Sequence, residues 1–387
     1  MKIEPFALER WLTAHELNVE YDIAESGIFP LSARDLLDLI PEGERSSALQ
    51  RLLDLRLGYS EATGTLKLRT LLAQTYKDCG PDNILVTTGA IEANFLLFNV
   101  LLSPGDHVIA PYPAYQQLYS VPRALGCDVS LWKVRHDNGF HFDLDELQHL
   151  LRPQTRLVVI NSPHNPTGAM LTAGEIQRVY NLAHSVGASV VSDEAYRWLA
   201  VPGGYQSPPP MYNLGPAGIS VGTFSKPFGL PGLRIGWMAA PAKIAAECWA
   251  MRDYISLSPG KLNDALAVLA FEHRKKIVQR NEAIIAANLS AANRWIAKHA
   301  DILSWTPPRG GLLALLRYNI DIASLDLANK LAEEYSVLLA PGSAFGFEHH
   351  LRIGIGQEPS IFEAGLERAS ACFASLQADG YGPLQAW

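Results

Sequence analysis

Lys226 stands in Gly222-Thr-Phe-Ser-Lys-Pro-Phe-Gly-Leu-Pro-Gly-Leu-Arg-Ile-Gly-Trp237, just after an apolar run and among small residues and glycines. A lysine drawn out of water, or set beside another cation, is a nucleophile that forms Schiff bases with carbonyls. Arg234, eight residues on, can supply positive potential and a phosphate contact. A lysine in a Gly-rich loop also fits a structural or solvent-exposed charge. Upstream, Val190-Val-Ser-Asp-Glu-Ala-Tyr196 places Asp193 at the end of an apolar run. A carboxylate there can hold a heterocyclic nitrogen protonated, the condition under which a pyridine-type cofactor acts as an electron sink. A helix N-cap is the other role such an aspartate fills.

Three further segments carry residues of the same kind. Asn161-Ser-Pro-His-Asn-Pro-Thr-Gly168 has two X-Pro bonds that stiffen the loop, with a cis peptide among the expected conformations. Asn165 can donate to a phenolate oxygen there, or simply form a turn; His164 reads as a loop residue. Thr87-Thr-Gly-Ala-Ile-Glu92 runs from a strand into a helix, and open amides at such a helix start suit a phosphate. Tyr115 follows the next strand, where its ring can stack on a flat cofactor.

The elements that must position these residues are legible as alternating short apolar runs and helical patterns. Strands are expected at Ile84–Thr87, His107–Ala110, Val129–Trp132, Arg156–Ile160, Ala188–Ser192, Ile219–Thr223 and Ile235–Ala239. Helices such as Ile91–Leu102 and Thr172–Val186 lie between them. Continuous apolar strands alternating with helices describe an α/β fold, a mostly parallel seven-stranded sheet covered on both faces. After Tyr254 the texture changes to a long helical region from about Leu262 to His299, an apolar run Leu312–Leu316, a helix Leu325–Tyr335 and a strand-like Leu351–Gly356. The expected division is an N-terminal arm over residues 1–45 packing back on the cleft and counted with the small domain, a large domain over 46–260, and a smaller α+β domain over 261–387.

Composition narrows the function class. Lys plus Arg total 32 against 39 for Asp plus Glu, a formal net charge of −7, which argues against a nucleic-acid binder. Apolar residues at 48% and only 55 Gly plus Pro in 387 residues exclude disorder and collagen. Cys79, Cys127, Cys248 and Cys372 form no CxxC pair or metal-type cluster, so dispersed, reduced, mostly buried thiols are expected and no bound metal. The first residues lack the apolar core of a signal peptide, and Phe95–Leu102 falls short of the ~20 residues of a membrane helix. A soluble, cytoplasmic protein is expected.

Five segments of this chemistry, each after a strand, together resemble the fold type I pyridoxal phosphate (PLP) enzymes of the class I/II aminotransferase superfamily, over roughly Asp22 to Leu366. The resemblance implies that Lys226 holds PLP as a Schiff base and shuttles protons, and that Asp193 pairs with the pyridine nitrogen. Asn165 and Tyr196 contact the ring oxygen, Tyr115 stacks on the ring, and Ala90, Ile91, Thr223 and Arg234 form the phosphate cradle. Arg352 matches the clamp on the substrate α-carboxylate, a planar bidentate task suited to arginine. Tyr59 resembles the tyrosine that enters the neighbouring subunit's phosphate site, which implies a homodimer.

A narrower similarity is carried by Trp11-Leu12, Tyr21-Asp-Ile-Ala-Glu-Ser-Gly27, Arg252-Asp-Tyr-Ile-Ser-Leu-Ser258, Pro308-Arg-Gly-Gly311 and Pro341-Gly-Ser-Ala-Phe-Gly346. These are similar to the capreomycidine synthase branch and related enduracididine-forming cyclases. That branch removes the hydroxyl of a hydroxylated arginine and closes a ring with the substrate's own guanidine. A cationic substrate calls for carboxylates, and Glu9, Asp22 and Glu25 are candidates, with Gly27 beside them and His15 as an acid or base. On an amphipathic helix from Pro5 to Leu17, Glu9 and His15 equally fit a solvated face. An ordinary aminotransferase using a 2-oxo acid is the second reading. A non-catalytic ligand-sensing module is the third; it would be expected to carry a DNA-binding domain before Tyr59, for which the chain leaves no room, and to lose Lys226 or Asp193.

Overall fold

The computed structural model describes residues 2–384; Met1 and residues 385–387, the outer ends of the expected arm and C-terminal segment, lie outside them. All seven expected strands form one sheet. They are β2 (Ile84–Thr87), β3 (His107–Tyr112), β4 (Asp128–Lys133), β5 (Thr155–Asn161), β6 (Ser189–Asp193), β7 (Gly218–Thr223) and β8 (Gly236–Ala239), in the order β2-β8-β7-β6-β5-β3-β4. Only β8 runs antiparallel to its neighbours. Leu157, Val158, Val159 and Ile160 of β5 are all buried, as are Val190 and Val191 of β6. Such continuous apolar strands are stable only where helices cover both faces of a sheet.

Those helices are set by their own sequence. Ala173–Ser185 opens with a reciprocal capping box between Thr172 and Glu175 and buries Ile176, Val179, Tyr180 and Ala183 at helical spacing. Gly89–Leu101 is apolar on most of its surface and buries Ala93, Leu96, Leu97 and Phe98 against the sheet.

The helical region expected from about Leu262 to His299 is two helices. Lys261–Glu272 and Arg274–Lys298 break at His273, whose backbone leaves the helical region at φ −103°, ψ 14°. With the break, Phe271 and Ile277 both pack in the cluster that holds Phe224 and Phe228. Uninterrupted charge and apolar periodicity gave no sign of it. Beyond lies a four-stranded antiparallel sheet in the order β12-β13-β10-β9, from β9 (Leu303–Trp305), β10 (Leu313–Tyr318), β12 (Ala340–Pro341) and β13 (His350–Gly354).

The N-terminal segment joins this second layer. β1 (Tyr21–Asp22) pairs in parallel with β11 (Val337–Leu338). The helix Ala7–His15 is shorter than the expected Pro5–Leu17 and buries Leu8 and Trp11, with Trp11 Nε1 donating to Asn329 at 2.8 Å. The same segment bridges to the large sheet's side, where the Ala7 amide donates to Gln116 Oε1 at 2.9 Å. All four cysteines are free; Cys248 and Cys372 are buried, whereas Cys79 and Cys127 are only half-buried. Among the described residues no helix is long and apolar enough to cross a membrane.

Candidate functional site

Parallel strands bring their carboxyl ends to one edge, and ligands of open α/β sheets gather there. Here that edge carries Thr87, Asn161, Asp193 and Thr223, the last residues of β2, β5, β6 and β7, while Gly236 opens β8 beside them. The edge faces a cavity of about 440 Å³ whose lining includes Asp193, Lys226, Tyr196, Asn165, Tyr115 and Arg234. Ala90, Ile91, Thr223 and Glu9 line it too.

Asp193 is buried, and its carboxylate accepts from Asn94 Nδ2 at 2.8 Å and from the Ala195 amide at 3.0 Å. Burial pushes its carboxyl above the ordinary value, against the pull of those two donors. It has no cationic side chain within 4 Å among the described residues. Asn161 ties this corner together: its amide donates to the Asp193 carbonyl at 3.0 Å and its Oδ1 accepts the Asn165 amide at 2.8 Å. Both X-Pro bonds of this loop, Ser162–Pro163 and Asn165–Pro166, are cis, as is Tyr112–Pro113.

At the other end of the cavity the helix Gly89–Leu101 begins. The first amides of a helix lack intrahelical acceptors and attract anions. Gly89 takes φ +78°, a conformation that favours glycine, and Arg234 Nη2 lies over the helix start 2.9 Å from where a Cβ would stand. A Cβ on Gly236 would meet the Ala90 nitrogen at 2.4 Å. Thr223 Oγ1 donates to Ser225 Oγ at 3.1 Å, and both hydroxyls border the same end.

Lys226 Nζ donates to Ser26 Oγ at 2.7 Å and to Glu25 Oε1 at 3.4 Å. Lys226, and secondarily Arg352, hold the carboxyl of the half-exposed Glu25 below its ordinary value against partial desolvation. Asp22, half-buried beside Glu25, is pushed up to about 6, chiefly by desolvation, while its Oδ1 accepts the Ala24 and Glu25 amides at 2.9 Å each. Gly27 closes the turn; a Cβ there would lie 3.1 Å from Glu25 Oε1. Glu9 Oε1 accepts from the Tyr115 hydroxyl at 3.1 Å, and Phe6 packs on the Tyr115 ring.

Arg352, on β13, lies behind the cavity and is 1% exposed. Its Nη1 donates to Asn165 Oδ1 at 3.2 Å and its Nη2 to the Ala24 carbonyl at 2.9 Å, while Nε has no partner. Two expected residues stand apart. His15 packs on Trp11 with ring centroids 4.9 Å apart, and Tyr59 is 86% exposed; neither lines the cavity, and Glu25 and Gly27 lie beside Lys226 without lining it. Ser26, Asn94, Gln117 and Ser225 line it without having been singled out. Asn94 was within reach, one turn beyond Ala90 on the same helix face.

The arrangement fits a flat heterocycle that carries a phosphate and an aldehyde. A buried acid without a cation awaits a protonated ring nitrogen, a glycine-cleared helix start under an arginine awaits the phosphate, and an amine projects into the space between.

Comparison with known proteins agrees with that fit. Residues 29–368 match the family model described as aminotransferase class I and II. The chain is 33% identical to capreomycidine synthase of Streptomyces vinaceus, over 94% of this chain and 92% of that protein. It is 28% identical to arginine–pyruvate transaminase AruH of Pseudomonas aeruginosa, over 85% of this chain and 86% of that protein. Among solved structures, a PLP-dependent aminotransferase from Streptococcus suis superposes with a TM-score of 0.92 at 34% identity, covering 97% of this chain and 99% of that one. The PLP-dependent cyclase OrfR gives 0.87 at 32%, covering 98% and 99%.

Proposed function

We propose, for a chain that belongs to the class I and II aminotransferase family and is a PLP-dependent enzyme, that it cyclises a hydroxylated L-arginine to a cyclic guanidino amino acid. Bound PLP supplies an electron sink that stabilises a carbanion at the substrate α-carbon. Lys226 attaches the cofactor and, once released by substrate, takes the α-proton. Asp193 keeps the ring nitrogen protonated, and Asn94 holds Asp193 in place at 2.8 Å. Asn165 and Tyr196 hold the ring oxygen, and Tyr115 covers the ring. Ala90, Ile91, Thr223 and Arg234, joined by Ser225, hold the phosphate.

Arg352 binds the α-carboxylate. A buried guanidinium without a carboxylate within 4 Å among the described residues is costly until an anion reaches it. Glu9 and Glu25 face the substrate guanidinium, with Gly27 leaving room beside Lys226. The observation that carries the cyclase reading is this pair of arm carboxylates, Glu9 lining the cavity and bonded to Tyr115 and Glu25 paired with Lys226, in a chain one-third identical to capreomycidine synthase along nearly its full length. The substrate loses its hydroxyl as water, and its own guanidine nitrogen adds to the unsaturated side chain that remains. No 2-oxo acid takes part.

The same site suits an aminotransferase for arginine, and the similarity to arginine–pyruvate transaminase favours that as the second reading. Incubating the holoenzyme with each hydroxyarginine isomer separates the two. The cyclase reading expects loss of one water and a cyclic guanidino product without added oxo acid; turnover that requires an oxo acid and yields no ring overturns it. The enzyme works in the cytoplasm as a homodimer, with Tyr59 entering the partner subunit's phosphate site. Support comes from the outward apolar surface of Leu57, Tyr59 and Tyr254 and from four unpaired thiols.

A further inference from the structure

Ser26 stands where three reactive groups converge. Its Oγ is 2.7 Å from Lys226 Nζ, and Ser26 lines the cavity together with Lys226 and Tyr196. An ammonium only donates, so Oγ accepts from Nζ and keeps its own proton for a second partner. Asp22 fixes this geometry by capping the Ala24 and Glu25 amides, the two residues that lead into Ser26.

We propose that Ser26 carries a proton from the Lys226 ammonium to the departing hydroxyl of the substrate, an inference that rests on the cyclase reading. Lys226 Nζ gains the α-proton when the Cα–H bond breaks. As the substrate C–O bond breaks, the leaving oxygen keeps the electron pair and takes the proton of the Ser26 hydroxyl. Ser26 Oγ recovers a proton from Nζ, which returns to the neutral amine. The substrate has then lost one hydrogen and one hydroxyl as water, and no outside acid is consumed.

The neighbouring groups are poorly suited to the same task. Glu25 is held ionised by Lys226 and Arg352, so it accepts protons and does not donate them. Burial holds the Tyr196 phenol well above its ordinary value, which makes it a weak acid. A hydroxyl already bonded to the ammonium needs no acidity of its own, because the proton it gives is replaced from Nζ.

The test compares wild type, Ser26→Ala and Ser26→Thr holoenzymes with hydroxyarginine in deuterated water. In Ser26→Ala, cyclic product should form on the order of 10²-fold more slowly, while exchange of the α-hydrogen with solvent, which needs only Lys226, changes little. Ser26→Thr, which keeps the hydroxyl, should restore most of the loss. A second readout needs no substrate: the midpoint at which the holoenzyme's visible absorbance titrates with pH should move in Ser26→Ala and return toward wild type in Ser26→Thr. Equal cyclisation by wild type and Ser26→Ala, parallel loss of exchange and product, or an unmoved midpoint overturns the Ser26 assignment. A wild-type enzyme that gives no cyclic product from any isomer overturns the cyclase reading instead.

Discussion

Two arginines of this protein are buried almost completely, and they are held in opposite ways. Arg252 is 0% exposed and donates to the Val86 carbonyl at 2.6 Å, the Ala62 carbonyl at 2.8 Å and Ser256 Oγ at 3.0 Å. Its Nε lies 3.6 Å from Glu92 Oε2, and Glu92 in turn accepts from the Thr88 amide and from Ser256. Only Nη2 lacks a partner. Arg352, 1% exposed, has a carbonyl and an amide oxygen but no carboxylate within 4 Å among the described residues. A guanidinium with its counter-ion built in locks loop 62 and β2 to the helix that ends at Arg252. One without a counter-ion leaves its charge unneutralised, and the fold bears the desolvation.

Matching substitutions should separate the two. Arg252→Met leaves the Glu92 carboxylate buried without its cation, and such a loss costs about 3–5 kcal/mol; denaturant unfolding of the holoenzyme should register it directly. Arg352→Met should give the converse result. Its unfolding loss is expected to be the smaller of the two, whereas kcat/KM should fall on the order of 10³-fold for want of a carboxylate clamp. If Arg352→Met destabilised the protein as much as Arg252→Met and left kcat/KM intact, the two arginines would share one structural role.

The same contrast explains what could be read from the chain before its fold was known. Lys226, Asp193, Asn165 and the Ala90–Ile91 helix start all sit at or just after the ends of apolar strands, and a strand end is a local signal. Arg252 was visible as part of a characteristic segment, but its work was not. Its acceptors Ala62 and Val86 lie 190 and 166 residues away, and no local pattern announces a carbonyl. Ser26 was hidden for the same reason, 200 residues from the lysine it touches. His15 and Tyr59 were chosen by resemblance or residue type; the first packs on Trp11 and the second faces outward.

Strand β13 extends the comparison to pH, because it carries a second buried basic group two residues before Arg352. The His350 ring donates from Nδ1 to the Glu348 carbonyl at 2.8 Å and packs against His136 and Phe347. Burial first, then the neighbouring His136, Arg317 and His349, push its pKa down to about 4 from 6.5, despite the hydrogen bond to Glu348. A histidine depressed in the fold is neutral there and protonates readily only when unfolded. Its contribution is therefore complete above about pH 6.5 and is lost as pH falls toward 4, by roughly 3 kcal/mol across the window. Stability followed from pH 7.5 to 4 should show that decline in wild type and a flatter profile in His350→Gln. An unchanged slope would move the acid sensitivity elsewhere, with His136 next in line because burial depresses it in the same direction.

Glu9 gives the smallest of these effects and the sharpest test of which charge the cavity awaits. Its carboxylate accepts the Tyr115 hydroxyl at 3.1 Å while bordering the cavity. Glu9→Gln keeps an acceptor for Tyr115 and removes only the charge. For a guanidinium-bearing substrate the expected result is a rise in KM of about tenfold, or ~1.4 kcal/mol, with kcat nearly unchanged, since attraction to a remote charge acts before and during the reaction alike. The rise should shrink as salt is added, because a partly exposed carboxylate is screened within about 10 Å at 0.1 M ionic strength. A ureido analogue of the same length, which carries no positive charge, should bind to both forms equally. If the analogue loses as much as the guanidinium substrate, Glu9 acts through Tyr115 and the cofactor ring, and the cation is read by Glu25 alone.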